Sequence, residues 1–200
     1  MKDEKFNKVI DMYKKETQKE CYKIVCLDGE PTILDDKIAG TPYIPVGEEY
    51  PTDEAGNPLA LLIQVNLKNI ELEGYPRKGI LEVYTDKDVD YPCQYSIKYY
   101  EDGLEYRTDL PVVPLERYIT TKPIKIGLEK DVCHMGYGDY RFLPTMMKIA
   151  NEVYNTDIKN YSELDKELEY IGDWYETLFE NITIHGGNIG DLSNLSQWEL

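Results

Sequence analysis

Long apolar runs are missing from this chain of 200 residues. No stretch approaches the roughly 20 apolar residues that a helix needs to cross a bilayer. The first residues, MKDEKFNKVIDMYKKE, are charged where a secretory signal requires an apolar segment. The sequence therefore predicts a cytoplasmic protein with no membrane partner.

Cysteine and histidine are scarce, which argues against metal chemistry. Only two histidines are present, and no cysteine pair has the Cys-x-x-Cys spacing of a zinc site, so we predict no metal and no cofactor. Cys133 and His134 are neighbours, but neighbours in an extended segment point to opposite faces and form no catalytic pair. The four cysteines are irregularly spaced and predict free thiols in a reducing compartment: Cys21, Cys26, Cys93 and Cys133.

Basic residues are too few to balance the acids. Lys and Arg number 22 against 38 Asp and Glu, which gives a formal net charge of -16. Such a surface repels phosphate backbones and anionic lipid, so nucleic acid is not expected as a partner. The same charge serves solubility or attracts a basic protein. The 18 tyrosines are equally open to two interpretations, since tyrosine is enriched at protein interfaces and at the edges of cores.

Motifs for catalysis or ion binding are also lacking, and we predict no catalytic residue. Asp86, Asp88 and Asp90 have the spacing of a calcium loop, but Tyr91 replaces its glycine and Ile97 its glutamate. This segment is typical of a solvated acidic hairpin. The glycines from 186 to 190 are followed by no lysine, which argues against a phosphate-binding loop.

What is present is a clear periodicity of apolar residues. Helical spacing of Phe6, Val9, Ile10 and Tyr13 predicts an amphipathic helix that ends near Glu20 and packs on a sheet. Strands are predicted at 21–27, 59–67, 79–85 and 94–100, with a return strand beginning at Ile33 and Leu34 and one or two strands within 118–128. Helical stripes follow, at Phe142, Met146, Ile149 and Val153 and at Leu164, Leu168, Ile171, Tyr175 and Leu178, with Asn160 or Ser162 as a cap.

These elements predict an α+β fold with a mostly antiparallel sheet and with helices from both ends of the chain packed on it. We expect a single domain over residues 1–200, with a core at 35–142, a helical segment at 143–182 and a poorly specified tail at 183–200. Proline and glycine between Ile38 and Val46 prevent regular pairing there, so that segment is predicted to lie across the strand that follows Pro58.

Four residues are candidates for a binding cleft. Gln64 and Asn66 alternate with the apolar side chains of their predicted strand and therefore share one face of it. Together with Lys37 and the loop through Tyr43 they are predicted to line a ligand site. The alternative is that the two amides satisfy the backbone of neighbouring loops, as buried amides normally do.

Four motifs in a fixed order resemble a known family. They are KIAGTPYIP, YPTDEAGNPLALLIQVN, KGILEVY and GDYRF, and together they resemble the first half of the YwqG-like family of bacterial proteins over residues 35–142. Asp36 replaces the serine and Ala39 the first glycine of the family's opening signature, and Ile63 replaces a small residue of the strand signature. The resemblance implies an α/β fold with antiparallel sheet and two similar halves. Of the second half only the opening, His185-Gly186-Gly187, is found, so a member that is either naturally shortened or truncated is expected.

The sequence supports three hypotheses about function. The first is a non-enzymatic protein-binding module, such as an immunity-type protein that neutralises a basic partner, because acidic charge and tyrosine are abundant. The alternative is a small-ligand binder or an enzyme that uses the cleft near Lys37, Gln64 and Asn66. The third is a remnant whose missing half is supplied by self-association. The family has no established activity to carry over.

Overall fold

The computed structural model describes residues 2–86, 94–115, 122–169, 174, 177–178 and 184–185. Two compact units are present. The helical unit combines Met1–Tyr22 with Lys130–Asn188, and the sheet unit comprises Lys23–Glu129. The prediction of a single folding domain stays a prediction.

Three helices form the helical unit: α1 (Lys2–Thr17), α2 (Phe142–Tyr154) and α3 (Tyr161–Leu168). The predicted apolar stripe of α1 is buried, and it packs against α2. Among the described residues of this cluster, Met135 is the one that comes from a strand, and its carbonyl accepts a hydrogen bond from the Tyr13 hydroxyl. The other members are Phe6, Val9, Ile10, Phe142, Met146, Ile149, Ala150, Ile158, Leu164, Leu168, Trp174 and Leu178.

The helix ends follow local chemistry. α1 ends at Thr17, whose hydroxyl donates to the Tyr13 carbonyl at 2.8 Å, three residues before the predicted end at Glu20. α2 ends at Tyr154, and the next residue, Asn155, has the left-handed backbone (φ 57°) that often stops a helix. Asn160 is the cap of α3, and the alternative Ser162 lies inside the helix. In the predicted stripe beyond Leu168, Leu178 is buried, while Ile171 and Tyr175 lie outside the described residues.

The strands are β1 (Lys19–Cys26), β2 (Lys37–Ile38), β3 (Ala60–Asn66), β4 (Ile80–Thr85), β5 (Tyr95–Tyr100), β6 (Ile124–Met135) and β7 (Ile184–His185). The sheet order is β1-β6-β2-β3-β4-β5. Each strand from β2 to β4 pairs antiparallel with the strand that follows it in the chain, and β6 pairs antiparallel with β2. The short β7 pairs in parallel with β6 inside the helical unit. The α+β prediction is confirmed, and β3 is a central strand as expected.

The return strand predicted at Ile33 and Leu34 is wrong. These residues form a turn, because the Asp35 carboxylate accepts a hydrogen bond from the Thr32 amide at 2.8 Å and closes the chain on itself. The strand begins later, as β2, and is only two residues long. Pro42 lies shortly after it and lacks the amide that a longer ladder requires.

A bulge in β3 changes which face its residues occupy. Leu61 pairs with Tyr84 but Ile63 pairs with Val83, so strict alternation breaks at Leu62. Gln64 is buried, whereas Ile63, which alternation places on the wholly apolar face, is only half-buried. The calcium-like segment at Asp88 and Asp90 lies outside the described residues.

Candidate functional site

A row of polar side chains crosses three adjacent strands inside the sheet unit. Lys37 of β2 pairs with Gln64 of β3, and Gln64 pairs with Glu82 of β4. Directly paired residues project from the same face of a sheet, so these three side chains form one line. Their exposed fractions are 1%, 0% and 0%. Burial of two ionisable groups and an amide requires specific hydrogen-bond partners.

Gln64 occupies the centre of the row and uses both ends of its amide. Its Nε2 donates to the Ile33 carbonyl at 2.6 Å and to the Asp35 carbonyl at 2.9 Å. Its Oε1 accepts from the Tyr43 backbone amide at 3.0 Å. One side chain therefore joins the turn before β2 to the proline-containing loop after it.

Lys37 is a buried cation that serves the same turn. Its Nζ donates to the carbonyls of Thr32 at 3.0 Å and Ile33 at 2.8 Å. Burial lowers the pKa of Lys37 to about 8, while the nearby carboxylates, Glu82 foremost, act against that shift. The lysine is therefore much easier to deprotonate than a surface lysine.

Glu82 is the acidic end of the row. Its Oε1 accepts from the Tyr43 amide at 2.7 Å, and its Oε2 accepts from the Tyr84 hydroxyl at 2.6 Å. Burial raises the pKa of Glu82 to about 7, although both hydrogen bonds and the charge of Lys37 favour the carboxylate. Near neutral pH the row thus contains an acid and a base whose pKa values have moved towards each other.

Tyrosine rings surround the Glu82 carboxylate. Tyr84 packs edge-on against Tyr50, with ring centroids 6.0 Å apart, and Tyr43 packs edge-on against Tyr100 at 6.1 Å. Burial, followed by the charge of Glu82, raises the pKa of Tyr50 to about 12 and raises those of Tyr84 and Tyr100 further. Within the described part of the chain, the buried Tyr100 hydroxyl has no hydrogen-bond partner. These phenols stay protonated at neutral pH.

Asn66 lies one step further along β3 and is half-buried. Its Oδ1 accepts from the Lys68 amide at 3.3 Å, which caps the short 3-10 helix that follows, and its backbone amide donates to Asp36. Burial raises the pKa of Asp36. Asn66 thus holds local backbone on one side and keeps part of its surface accessible.

The structure brings the predicted residues Lys37, Tyr43 and Gln64 into one hydrogen-bonded cluster, with Asn66 beside it. The side-chain hydrogen bonds of these residues go to backbone groups of the protein itself, the arrangement that the alternative interpretation of the amides describes. Glu82 was not predicted from the sequence. The sequence does contain a signal for it, because a glutamate in the middle of the apolar strand ILEVYT is rarely buried unless it has a polar partner.

A second feature of the sheet unit is exposed. β5 lies at the end of the strand order, and its alternate residues Tyr95, Ile97 and Tyr99 are 69%, 60% and 44% exposed. Their cross-strand partners in β4 include Val83 for Ile97 and Leu81 for Tyr99. We name the three β5 side chains the β5 face. Large apolar side chains in a continuous exposed row are a mark of interaction surfaces.

The architecture and the two features define an α+β protein with an antiparallel sheet, an internal polar row and an exposed aromatic edge. The chain belongs to the DUF1963 family, a domain of unknown function, whose model matches residues 36–186. The match contains all four sequence motifs and continues through α2 and α3. No curated protein matches the chain.

In the described parts of the chain, no group of three or more His, Cys, Asp or Glu side chains is placed to hold a metal ion. Among the helices that are described, none combines the length and the apolar character required to cross a bilayer.

Proposed function

We propose that this chain is a non-enzymatic protein-binding module and that a basic protein docks on the β5 face. The observation that carries the proposal is the continuous exposure of Tyr95, Ile97 and Tyr99 on a strand at the end of the sheet. Tyrosine and isoleucine there offer a large contact area in a nearly flat row. A strand at a sheet edge also offers backbone groups to an extended partner segment.

Charge supports a basic partner. Glu101 and Asp102 follow β5 directly, and Asp86 accepts a hydrogen bond from the Gln94 amide at the start of the strand. Acids therefore lie at both ends of the exposed row, on a chain with a net charge of -16. Complementary charge speeds association and excludes acidic competitors such as nucleic acid.

The sequence also supports a more specific proposal about the family branch, the compartment and the role of this chain. We propose that the chain is a YwqG-like, bacterial and cytoplasmic member of its family, with an immunity-type role in which the basic partner is a toxic protein held inactive. Its acidic charge and its exposed aromatic row support that role, since neutralising a basic protein requires an acidic, sticky surface.

The test is a comparison of three versions of the chain used to capture proteins from an extract of its own cells. The variant Ile97→Ser/Tyr99→Ser removes the centre of the β5 face. The control Tyr161→Ser changes a tyrosine that is also about half exposed but lies at the start of α3. We expect the native chain and the control to retain the same basic protein in equal amounts. The β5 variant is expected to retain at least about tenfold less of it. Equal retention by all three versions, or retention of no protein, overturns the proposal.

The alternative function is binding of a small molecule near Lys37, Gln64 and Asn66. Its support is the pair of buried groups with shifted pKa values, since such groups gather at binding and catalytic sites. A metabolite library screened by thermal shift tests it, because a ligand stabilises the folded state. Asn66→Ala is the informative variant, since Asn66 is half-buried and its loss spares the fully buried cluster. A ligand shift that survives Asn66→Ala unchanged contradicts this site.

A further inference from the structure

Two cysteines lie close together on neighbouring strands of the helical unit. Cys21 belongs to β1 and Cys133 to β6, and these strands are adjacent in the sheet. The Cys133 thiol donates to the Lys19 carbonyl at 3.7 Å, which places Cys133 beside the start of β1. Side chains alternate along a strand, so Cys21 projects from the same face as Lys19 and is the next side chain along that face. Cys21 is thus the diagonal neighbour of Cys133.

The Cys21 thiol lies near enough to Cys133 to influence its pKa. Burial raises the pKa of Cys133 to about 12, and a hydrogen bond with the Cys21 thiol adds to that shift. Both residues are free thiols, and they differ in access: Cys133 is buried, whereas Cys21 is half-buried. Cys21 is therefore the more accessible of the two to a reagent in solvent.

We propose that Cys21 and Cys133 form a dithiol site that a small disulfide, such as oxidised glutathione, converts into an intramolecular disulfide. Diagonal neighbours in a sheet have Cα atoms about 7–8 Å apart. That is just beyond the usual upper limit for a disulfide, about 6.8 Å. Closure therefore requires β1 and β6 to move about 1 Å at this end. The side chains of Lys19 and Glu20 are exposed, so they do not anchor the beginning of β1 in a core.

The exchange proceeds in two steps. The Cys21 thiolate attacks one sulfur of oxidised glutathione, forms a mixed disulfide and releases one glutathione thiolate. The Cys133 thiol then gives its proton to solvent, and its sulfur attacks the Cys21 sulfur and releases the second glutathione thiolate. Two protein thiols are oxidised to one disulfide, and one glutathione disulfide is reduced to two thiols. The high pKa of Cys133 makes it the second, slower nucleophile.

The test is a peptide map of the full, folded chain after treatment with oxidised glutathione and blocking of the remaining thiols. We expect a peptide in which Cys21 is linked to Cys133, a protein mass lower by two hydrogen atoms, and complete reversal by dithiothreitol. Cys26 lies on the same strand and is also half-buried, so Cys26→Ser is the matched control and keeps the link. Cys21→Ser loses it.

Three results overturn the proposal. They are glutathione adducts on Cys21 with no link to Cys133, a disulfide between two copies of the chain, and a link that uses Cys26 or Cys93 in place of either residue. The map of the unaltered chain decides among these outcomes even where a variant folds poorly. The slow second step gives an additional readout, since the mixed disulfide at Cys21 is expected to appear before the internal link.

Discussion

At the scale of single residues, Glu82 shows how a buried carboxylate orders the sheet unit. Its carboxylate is fully buried, yet it receives hydrogen bonds from the Tyr43 amide and the Tyr84 hydroxyl, which come from different segments. A buried carboxylate with two donors fixes the position of both. The proline-containing loop is therefore held over the sheet by polar contacts in addition to apolar packing.

The raised pKa of Glu82 predicts a specific dependence of stability on pH. The group has a pKa near 4.5 when unfolded and about 7 when folded, so between these values the folded state holds a proton that the unfolded state has lost. The free energy of unfolding contributed by this group therefore falls as the pH rises through that window, by about 3 kcal/mol in all. Glu82→Gln, which keeps an acceptor for Tyr43, is expected to remove that contribution.

Urea unfolding at several pH values between about 4.5 and 7 measures the difference between the native chain and Glu82→Gln. Glu101→Gln is the control. Because Glu101 is exposed, we expect the free energy of unfolding of this variant to differ from that of the native chain by a constant amount over the same pH range. Curves for the native chain and Glu82→Gln that stay parallel over this range would contradict the assignment.

Gly40 illustrates a second requirement at the residue scale. Its backbone is left-handed (φ +85°), and a Cβ placed on it would lie 2.8 Å from Cβ of Pro123. Gly56 has the same φ, and no atom of the described residues lies within 4 Å of a Cβ placed on it. We expect Gly56→Ala to cost about 1 kcal/mol for the backbone alone, and Gly40→Ala about 3 kcal/mol because the clash is added. Equal losses in the free energy of unfolding, measured by urea titration, would show that Pro123 moves aside freely.

The residue before Gly40 is Ala39, whose backbone conformation is unfavourable for any residue other than glycine. Ala39 has a left-handed backbone (φ 59°) at the position where the YwqG-like signature has its first glycine. A left-handed alanine costs about 1–2 kcal/mol. Its methyl group is buried in the cluster with Ile38 and Ala60, which offsets part of that cost.

At the scale of elements, the hydrogen bonds at the start of α3 predict the effect of a capping mutation. The Asn160 side chain accepts from the Glu163 amide at 3.1 Å and donates to the Glu163 carboxylate at 2.8 Å. Asn160→Ala is expected to lower the free energy of unfolding by about 1 kcal/mol, whereas Asn160→Ser keeps an acceptor and costs less. Faster hydrogen exchange of the Glu163 amide in the alanine variant alone would locate the effect. Equal losses for alanine and serine would mean that the cap bond contributes little.

Sequence periodicity predicted most elements because local spacing decides which face of a helix or strand is apolar. The stripe of α1 and the alternation that led to β3, β4 and β5 are examples. The turn at Thr32–Asp35 and the short β2 could not be predicted in this way, since a side-chain hydrogen bond and long-range pairing determine them. The bulge at Leu62 is similar: it changes the face of the residues before it without any change of composition.

The candidate site was predictable in part. Gln64 and Asn66 stood out because they alternate with the apolar side chains of their predicted strand, and Lys37 was grouped with them as part of the same cleft. Their link to Glu82 depends on the register of two strand pairs, which no local pattern contains. The sequence therefore predicted the members of the cluster in β2, β3 and the loop, which are Lys37, Gln64 and Tyr43. It did not predict Glu82, the member in β4.

At the scale of the whole molecule, charge is the dominant feature. The acids exceed the bases by 16 on a chain of 200 residues, and the sequence pI is about 4.5. Folding brings these like charges closer together than they are in the unfolded chain, so their repulsion opposes the compact state. Salt screens exposed charges over about 10 Å at 0.1 M and over about 30 Å at 0.01 M.

We therefore expect the urea midpoint at neutral pH to rise when the salt concentration increases from about 0.01 M to about 0.1 M. The rise should disappear near pH 5, close to the pI, because the net charge is then small. A midpoint that is unchanged or lower in salt at neutral pH would mean that local ion pairs outweigh the general repulsion. Binding of a basic protein must respond in the opposite direction, since salt screens an attraction there. A chain that becomes more stable in salt while it releases its partner would show that one acidic surface causes both effects.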